Sequence, residues 1–237
     1  MKRFYEQAAV AETGDGFAVA LDGRTVRTPK GQALVLPSRA LADAIAAEWN
    51  GQGEELDPAA MPMLRFANTV LDGIAPDPGA VAAAILRFGD NDLLCYRAGE
   101  SALAERQRAA WDPLLGWARQ RWSAHLRVTD GISPVEQSPD AREALREALR
   151  GYDPFTLAAI QVIAAITGSL ILALAVAERR LSPAAAFAVS RIDESWQAEK
   201  WGTDAEAAAR ADTLAREMAR AAALMDAMTD RLTESGR

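Results

Sequence analysis

Half of the 237 residues are hydrophobic and a quarter are charged, the balance of a globular protein rather than of a disordered or disulfide-rich chain. Lys and Arg number 26 against 33 Asp and Glu, a net charge of −7, which argues against nucleic acid or an anionic membrane surface as the main partner. A single cysteine, Cys95, excludes an internal disulfide, and with a single histidine, His125, it excludes a zinc site of the usual kind. No G-x-x-x-x-G-K-[ST], G-x-G-x-x-G or H-E-x-x-H is present, so the expectation is a binding protein with no metal and no cofactor.

The first residues, Met1 to Gln7, carry charges but no apolar run. They read as neither a secretory signal nor a transit peptide, and a cytoplasmic bacterial setting is the default. Gly16–Arg24 reads as a short strand closed by the Asp22-Gly23 turn. Thr25–Thr28 and Ala33–Leu36 follow as further short strands of a small antiparallel meander. Ser38 then caps a helix that places Leu41, Ile45 and Trp49 on one face, ended by Gly51 and Gly53.

From Asp57 the punctuation changes. Asp57-Pro58, Asp77-Pro78, Asp112-Pro113, Ser138-Pro139, Asp153-Pro154 and Ser182-Pro183 each set a capping side chain before a proline, the signature of a helix start. Asp92–Arg97 reads as an isolated strand joining the N-terminal sheet, and Leu126–Val128 as another. Trp111, Leu115, Ala118 and Trp122 share a helix face that suits core packing, with Trp117 on another face. The expected class is α+β, a small sheet-bearing domain over residues 1–75 followed by a helical domain over 76–237.

Pro154–Ala177 is 24 residues without a charge, 11 of them Phe, Leu, Ile or Val, followed by Arg179 and Arg180. Length and flanking charge suit a membrane span; Gln161, Thr167, Gly168 and Ser169 near its middle suit a helix buried all round. Pro183 to about Trp201 reads as one helix, stopped by Gly202. Its apolar stripe is Ala185, Val189, Ile192 and Trp196. Nearly opposite, seven residues apart, stand Phe187, Glu194 and Trp201, with Arg191 able to pair with Glu194. Thr203 and Glu206 form a capping box for the last helix. There Ala207, Ala211, Leu214, Met218, Ala221, Met225, Met228 and Leu232 make a heptad seam for antiparallel packing.

Five stretches in register resemble one family. They are Leu21-Asp22-Gly23-Arg24 with Thr28-Pro29; Leu36-Pro37-Ser38 on to Glu48-Trp49 and Gln52; Asp57-Pro58 with Met61-Pro62; Asp92–Arg97; and Asp193-Glu194 with Trp196-Gln197, Trp201-Gly202 and Asp204. Together they are similar to the assembly chaperones for the α subunit of F-type ATP synthase, known in mitochondria as F1 complex assembly factor 2. The resemblance covers residues 3 to about 215 and lacks the long N-terminal extension of mitochondrial members. It implies a monomer without enzymatic activity that transiently holds the free α subunit, covers its β-facing surface without ATP and yields it to β. It also implies that Pro154–Ala177 is buried rather than membrane-spanning. Partner-binding candidates are Glu194, Trp201, Phe187 and Arg191, with Trp49 and Trp196 either structural or partner-binding. The competing expectations are a helical ligand-binding or regulatory protein with a pocket lined by tryptophans, and an enzyme working through two carboxylates.

Overall fold

The computed structural model describes residues 1–131 and 133–229. It is an α+β structure, an N-terminal antiparallel sheet followed by a larger helical part. β1 (Ala8–Thr13) and β2 (Gly16–Leu21) pair along their whole length, and β2 also pairs with β3 (Arg24–Thr25) and β4 (Val35–Leu36). β1, before the first expected strand, completes a hairpin around Gly14-Asp15. At the next turn Asp22 (φ 45°) and Gly23 (φ 79°) are both left-handed, the geometry that matches strand twist in a two-residue hairpin. The Asp22 carboxylate accepts the Glu6 and Gln7 amides, and these bonds hold it below the usual carboxylate range.

α1 (Arg39–Asn50) begins at the Ser38 cap, whose hydroxyl accepts the Leu41 amide. It buries Leu41, Ile45 and Trp49 against the sheet. A 3₁₀ turn, Pro58–Ala60, precedes α2 (Pro62–Thr69). The Glu48 carboxylate caps α2, accepting the Met63 and Leu64 amides at 2.7 and 2.9 Å.

α3 (Pro78–Asp90), α4 (Ser101–Trp122), α5 (Pro139–Arg150), α6 (Pro154–Thr167), α7 (Leu170–Ala177), α8 (Pro183–Ser190), α9 (Ile192–Trp201) and α10 (Ala205–Thr229) follow. Ser138 and Ser182 cap α5 and α8, and α3 and α6 start at Pro78 and Pro154. Asp112-Pro113 starts nothing; Pro113 lies inside α4. Pro113 and Ala109 are both exposed, so the carbonyl that loses its N–H partner faces water, while Trp111, Leu114 and Ala118 stay buried on the other side. Asp92–Arg97 does not join the N-terminal sheet. Leu93–Cys95 is a 3₁₀ turn, and β5 (Tyr96–Arg97) pairs in parallel with β6 (Thr129–Asp130), just beyond the strand expected at Leu126–Val128.

The apolar run is two helices. Gly168 (φ 66°) turns the chain, and Ser169 caps α7 by accepting the Leu172 amide at 3.0 Å. Every residue from Leu170 to Ala175 is fully buried. No single helix among the described residues is long and apolar enough to cross a membrane. A second break falls at Arg191, separating α8 from α9. The α10 cap is Asp204, whose carboxylate accepts the Glu206 amide, and not Thr203. The α10 seam is buried at Met218, Ala221 and Met228 but exposed at Ala207; Leu232 lies outside the described residues.

The chain divides into two units. One comprises Met1–Pro78, Pro154–Ala158 and the segment from Ala223; the other comprises Gly79–Asp153 and Ala159–Ala222. The boundary expected at 75/76 falls just before the end of the first segment, and the first unit takes two later segments as well.

Candidate functional site

The candidates fall in both units. Trp49 is buried on α1 (9% exposed), edge-on to the Tyr5 ring at 5.3 Å, and its carbonyl accepts the Tyr5 hydroxyl at 2.6 Å. Its indole N–H is buried without a partner among the described residues.

The other candidates lie on α8 and α9. Because the chain breaks at Arg191, the continuous line Phe187–Glu194–Trp201 does not form. Phe187 is half-buried on α8, whereas Glu194 and Trp201 are exposed on α9. The Ser190 hydroxyl donates to the Phe187 carbonyl at 2.8 Å, a side-chain bond that competes with helix continuation. Arg191 reaches Glu194 at 2.8 Å. Trp201 is 77% exposed, at the end of α9 where Gly202 (φ 92°) stops the helix.

α9 is held to α4 by polar contacts. Gln107 of α4 is buried; its amide oxygen accepts the Ala98 N–H at 2.7 Å and its amide nitrogen donates to Asp193 at 2.6 Å. Trp111 ties the preceding helix α8 to α4, donating to the Val189 carbonyl at 3.0 Å. Arg106 grips Glu199 with two bonds, 2.7 and 3.0 Å.

Trp196 is not an apolar-stripe residue. The Arg106 guanidinium lies 4.8 Å and the Lys200 ammonium 4.5 Å from its ring centre. Its N–H donates to Glu100, which also pairs with Lys200 at 2.5 Å. Hydrogen bonds from Lys200 and Trp196 hold Glu100 below its ordinary value, the Arg106 bond does the same for Glu199, and that bond raises Arg106. These partners come from positions 93 to 100 residues apart, so no local pattern announces them.

The arrangement presents a helix whose inner side is tied down and whose outer side offers an acid and a large aromatic. Ile192 is its buried anchor, and Glu194, Gln197 and Trp201 are exposed. Among the described residues no group of His, Cys, Asp or Glu side chains is placed to hold a metal. Cys95 is buried, and burial pushes its thiol up to about 12, which makes it a poor nucleophile.

A family model described as ATP12 chaperone protein matches residues 2–119. The crystal structure of Atp12 from Paracoccus denitrificans is 43% identical, superposes with a TM-score of 0.92 and is matched over 95% of this chain and 97% of that one. A point mutant of P. denitrificans Atp12p gives 42% identity and the same TM-score and coverage. The mitochondrial protein atp12 of Schizosaccharomyces pombe is 22% identical over 215 residues, 85% of this chain and 74% of its own length. With this identity sustained over nearly the whole chain, the protein belongs to the ATP12 chaperone family.

Proposed function

We propose that this protein is an ATP-independent assembly chaperone for ATP synthase that binds the free α subunit of the F1 sector and releases it to the β subunit. α and β alternate in a ring, so an unpaired α exposes an apolar face made for β, and such faces aggregate. A holder must cover that face yet be displaced by β, which mass action accomplishes without ATP. The contact we assign is the outer side of α9, Glu194 and Trp201, with Arg191 beside them and Phe187 on the preceding helix. The observation that carries it is Trp201, a tryptophan 77% exposed on a helix otherwise anchored through Gln107 and Arg106. Large exposed aromatics next to a charge are typical anchors of protein interfaces.

Co-expression with the α subunit tests this. The wild type is expected to keep α soluble and to co-purify with it until β is added. Glu194→Ala and Trp201→Ala should lose α while melting like the wild type, because the exposed Arg191–Glu194 pair contributes only about 0.2–0.5 kcal/mol to the fold. Across an interface the same groups could contribute about 2 kcal/mol or more. Full retention of α by both variants would remove α9 from the contact; failure of the wild type to retain α would remove the function.

A further inference from the structure

The second unit holds a cavity of about 480 Å³ between one face of α4 and the loop that follows it. Arg108, Asp112, Leu115, Gly116 and Arg119 of α4 form its floor, spaced so that they share a helix face. His125, Leu126 and Val128 of the loop form the rim, with Asp130 beside them. Arg97 closes the inner end. It is 3% exposed, donates to the Leu94 carbonyl and to Asp112 at 2.5 Å each, and lies over the Trp111 ring at 5.1 Å. Its Nε is buried without a partner among the described residues.

Three features mark this as a prepared site. The side chains of Arg108 and Arg119, on the same face of α4 at the two ends of the floor and about three turns apart, make no ion pair or hydrogen bond among the described residues, unlike those of Arg106 and Arg121 on the same helix. Gly116 sits mid-helix, where glycine weakens the structure. Packing does not require it, since a Cβ there would meet nothing within 4 Å; its effect is to leave the floor open. Val128 at the rim is an exposed aliphatic side chain.

The charge defines the ligand. Three arginines against Asp112 and Asp130 leave one net positive charge, 3 − 2 = 1. That balance suits a single negative charge and disfavours a dianion, which the two carboxylates would repel. Leu115, Leu126 and Val128 supply apolar wall for a short hydrocarbon body. We propose that this cavity binds a monoanionic carboxylate on a branched aliphatic body, its carboxylate held by the arginine at one end of the floor, Arg108 or Arg119, and its body by the leucines and Val128 that lie between them. The carboxylate could come from a free acid or from the C-terminal residue of a peptide. This inference does not depend on the chaperone reading.

Titration of the full-length ¹⁵N-labelled protein, followed by NMR, tests it with four probes: isovalerate, N-acetyl-leucine, N-acetyl-leucinamide and inorganic phosphate. The two carboxylates should shift amides of Gly116 and residues 124–131, and the neutral amide should not. Phosphate should bind more weakly than either. N-acetyl-leucine binding more tightly points to a chain terminus as the source, isovalerate to a free acid. Arg108→Gln with Arg119→Gln should weaken binding roughly tenfold or more with the fold unaltered, as neither side chain has a partner to lose. Gly116→Leu keeps every charge but fills the floor, and should abolish binding. Undiminished binding by both variants, tighter binding of phosphate, or no shift with either carboxylate would overturn the proposal.

Discussion

Trp49 and Trp201 show how one residue type divides by environment. Trp49 packs on the Tyr5 ring beneath the sheet and Tyr5 donates to its carbonyl; Trp201 stands in solvent. We therefore assign Trp49 to folding. Trp49→Ala should cost about 3–5 kcal/mol, a large part of the roughly 5–15 kcal/mol typical of a domain, and thermal melting of the variant measures it. A variant that melts like the wild type yet no longer retains α would move Trp49 to the binding surface. Trp196 is a third case, an indole on α9 placed between Arg106 of α4 and Lys200.

At the scale of elements, the junction before α7 concentrates polar work in an apolar setting. Asp92 is fully buried and accepts the Leu94 amide at 3.0 Å and the Ile171 amide at 3.0 Å, so one carboxylate caps both the 3₁₀ turn and the start of α7. Burial raises its pKa to about 6 from 3.8, against the pull of the Ile171, Leu94 and Leu170 amides and the Ser169 side chain. The native state thus binds the proton more tightly than the unfolded chain. Its contribution to stability is fully present below about pH 4 and is lost as pH rises through about 6. In Asp92→Asn this linkage is gone. Chemical denaturation of both proteins across that window should show the wild type losing on the order of 3 kcal/mol relative to the variant as pH rises. A difference that stays constant with pH would place the native Asp92 at its ordinary value.

At the scale of the molecule, the charge-free run Pro154–Ala177 decides how the protein partitions. Its two halves are separated at Gly168-Ser169, and the second is wholly inside the second unit. An apolar helix with no exposed face has nothing to offer lipid. The protein should fractionate with the aqueous phase and purify as a monomer without detergent. Recovery in the membrane fraction of cells lacking overexpression would contradict this.

The sequence by itself determined what depends on a residue and its neighbours within about one helical turn. The α+β class, the Asp22-Gly23 turn, the α1 face of Leu41, Ile45 and Trp49, and the caps at Ser38, Ser138 and Ser182 all follow from such spacings. The family resemblance was legible for the same reason, as short stretches in fixed order. Tertiary structure decided where local signals were ambiguous or silent. Asp112-Pro113 has the form of a helix start, but burial of Trp111, Leu114 and Ala118 carries α4 through it. Beyond Pro183 itself, the run to Trp201 has no proline or glycine to announce the break at Arg191, and that break dissolved the Phe187–Glu194–Trp201 line. The Trp196 clamp joins α9 to residues 93 to 100 positions away. The carboxylate cavity needs α4, its following loop and Arg97 of β5 at once. Periodicity assigns a residue to a face, but only the packed chain determines what that face meets.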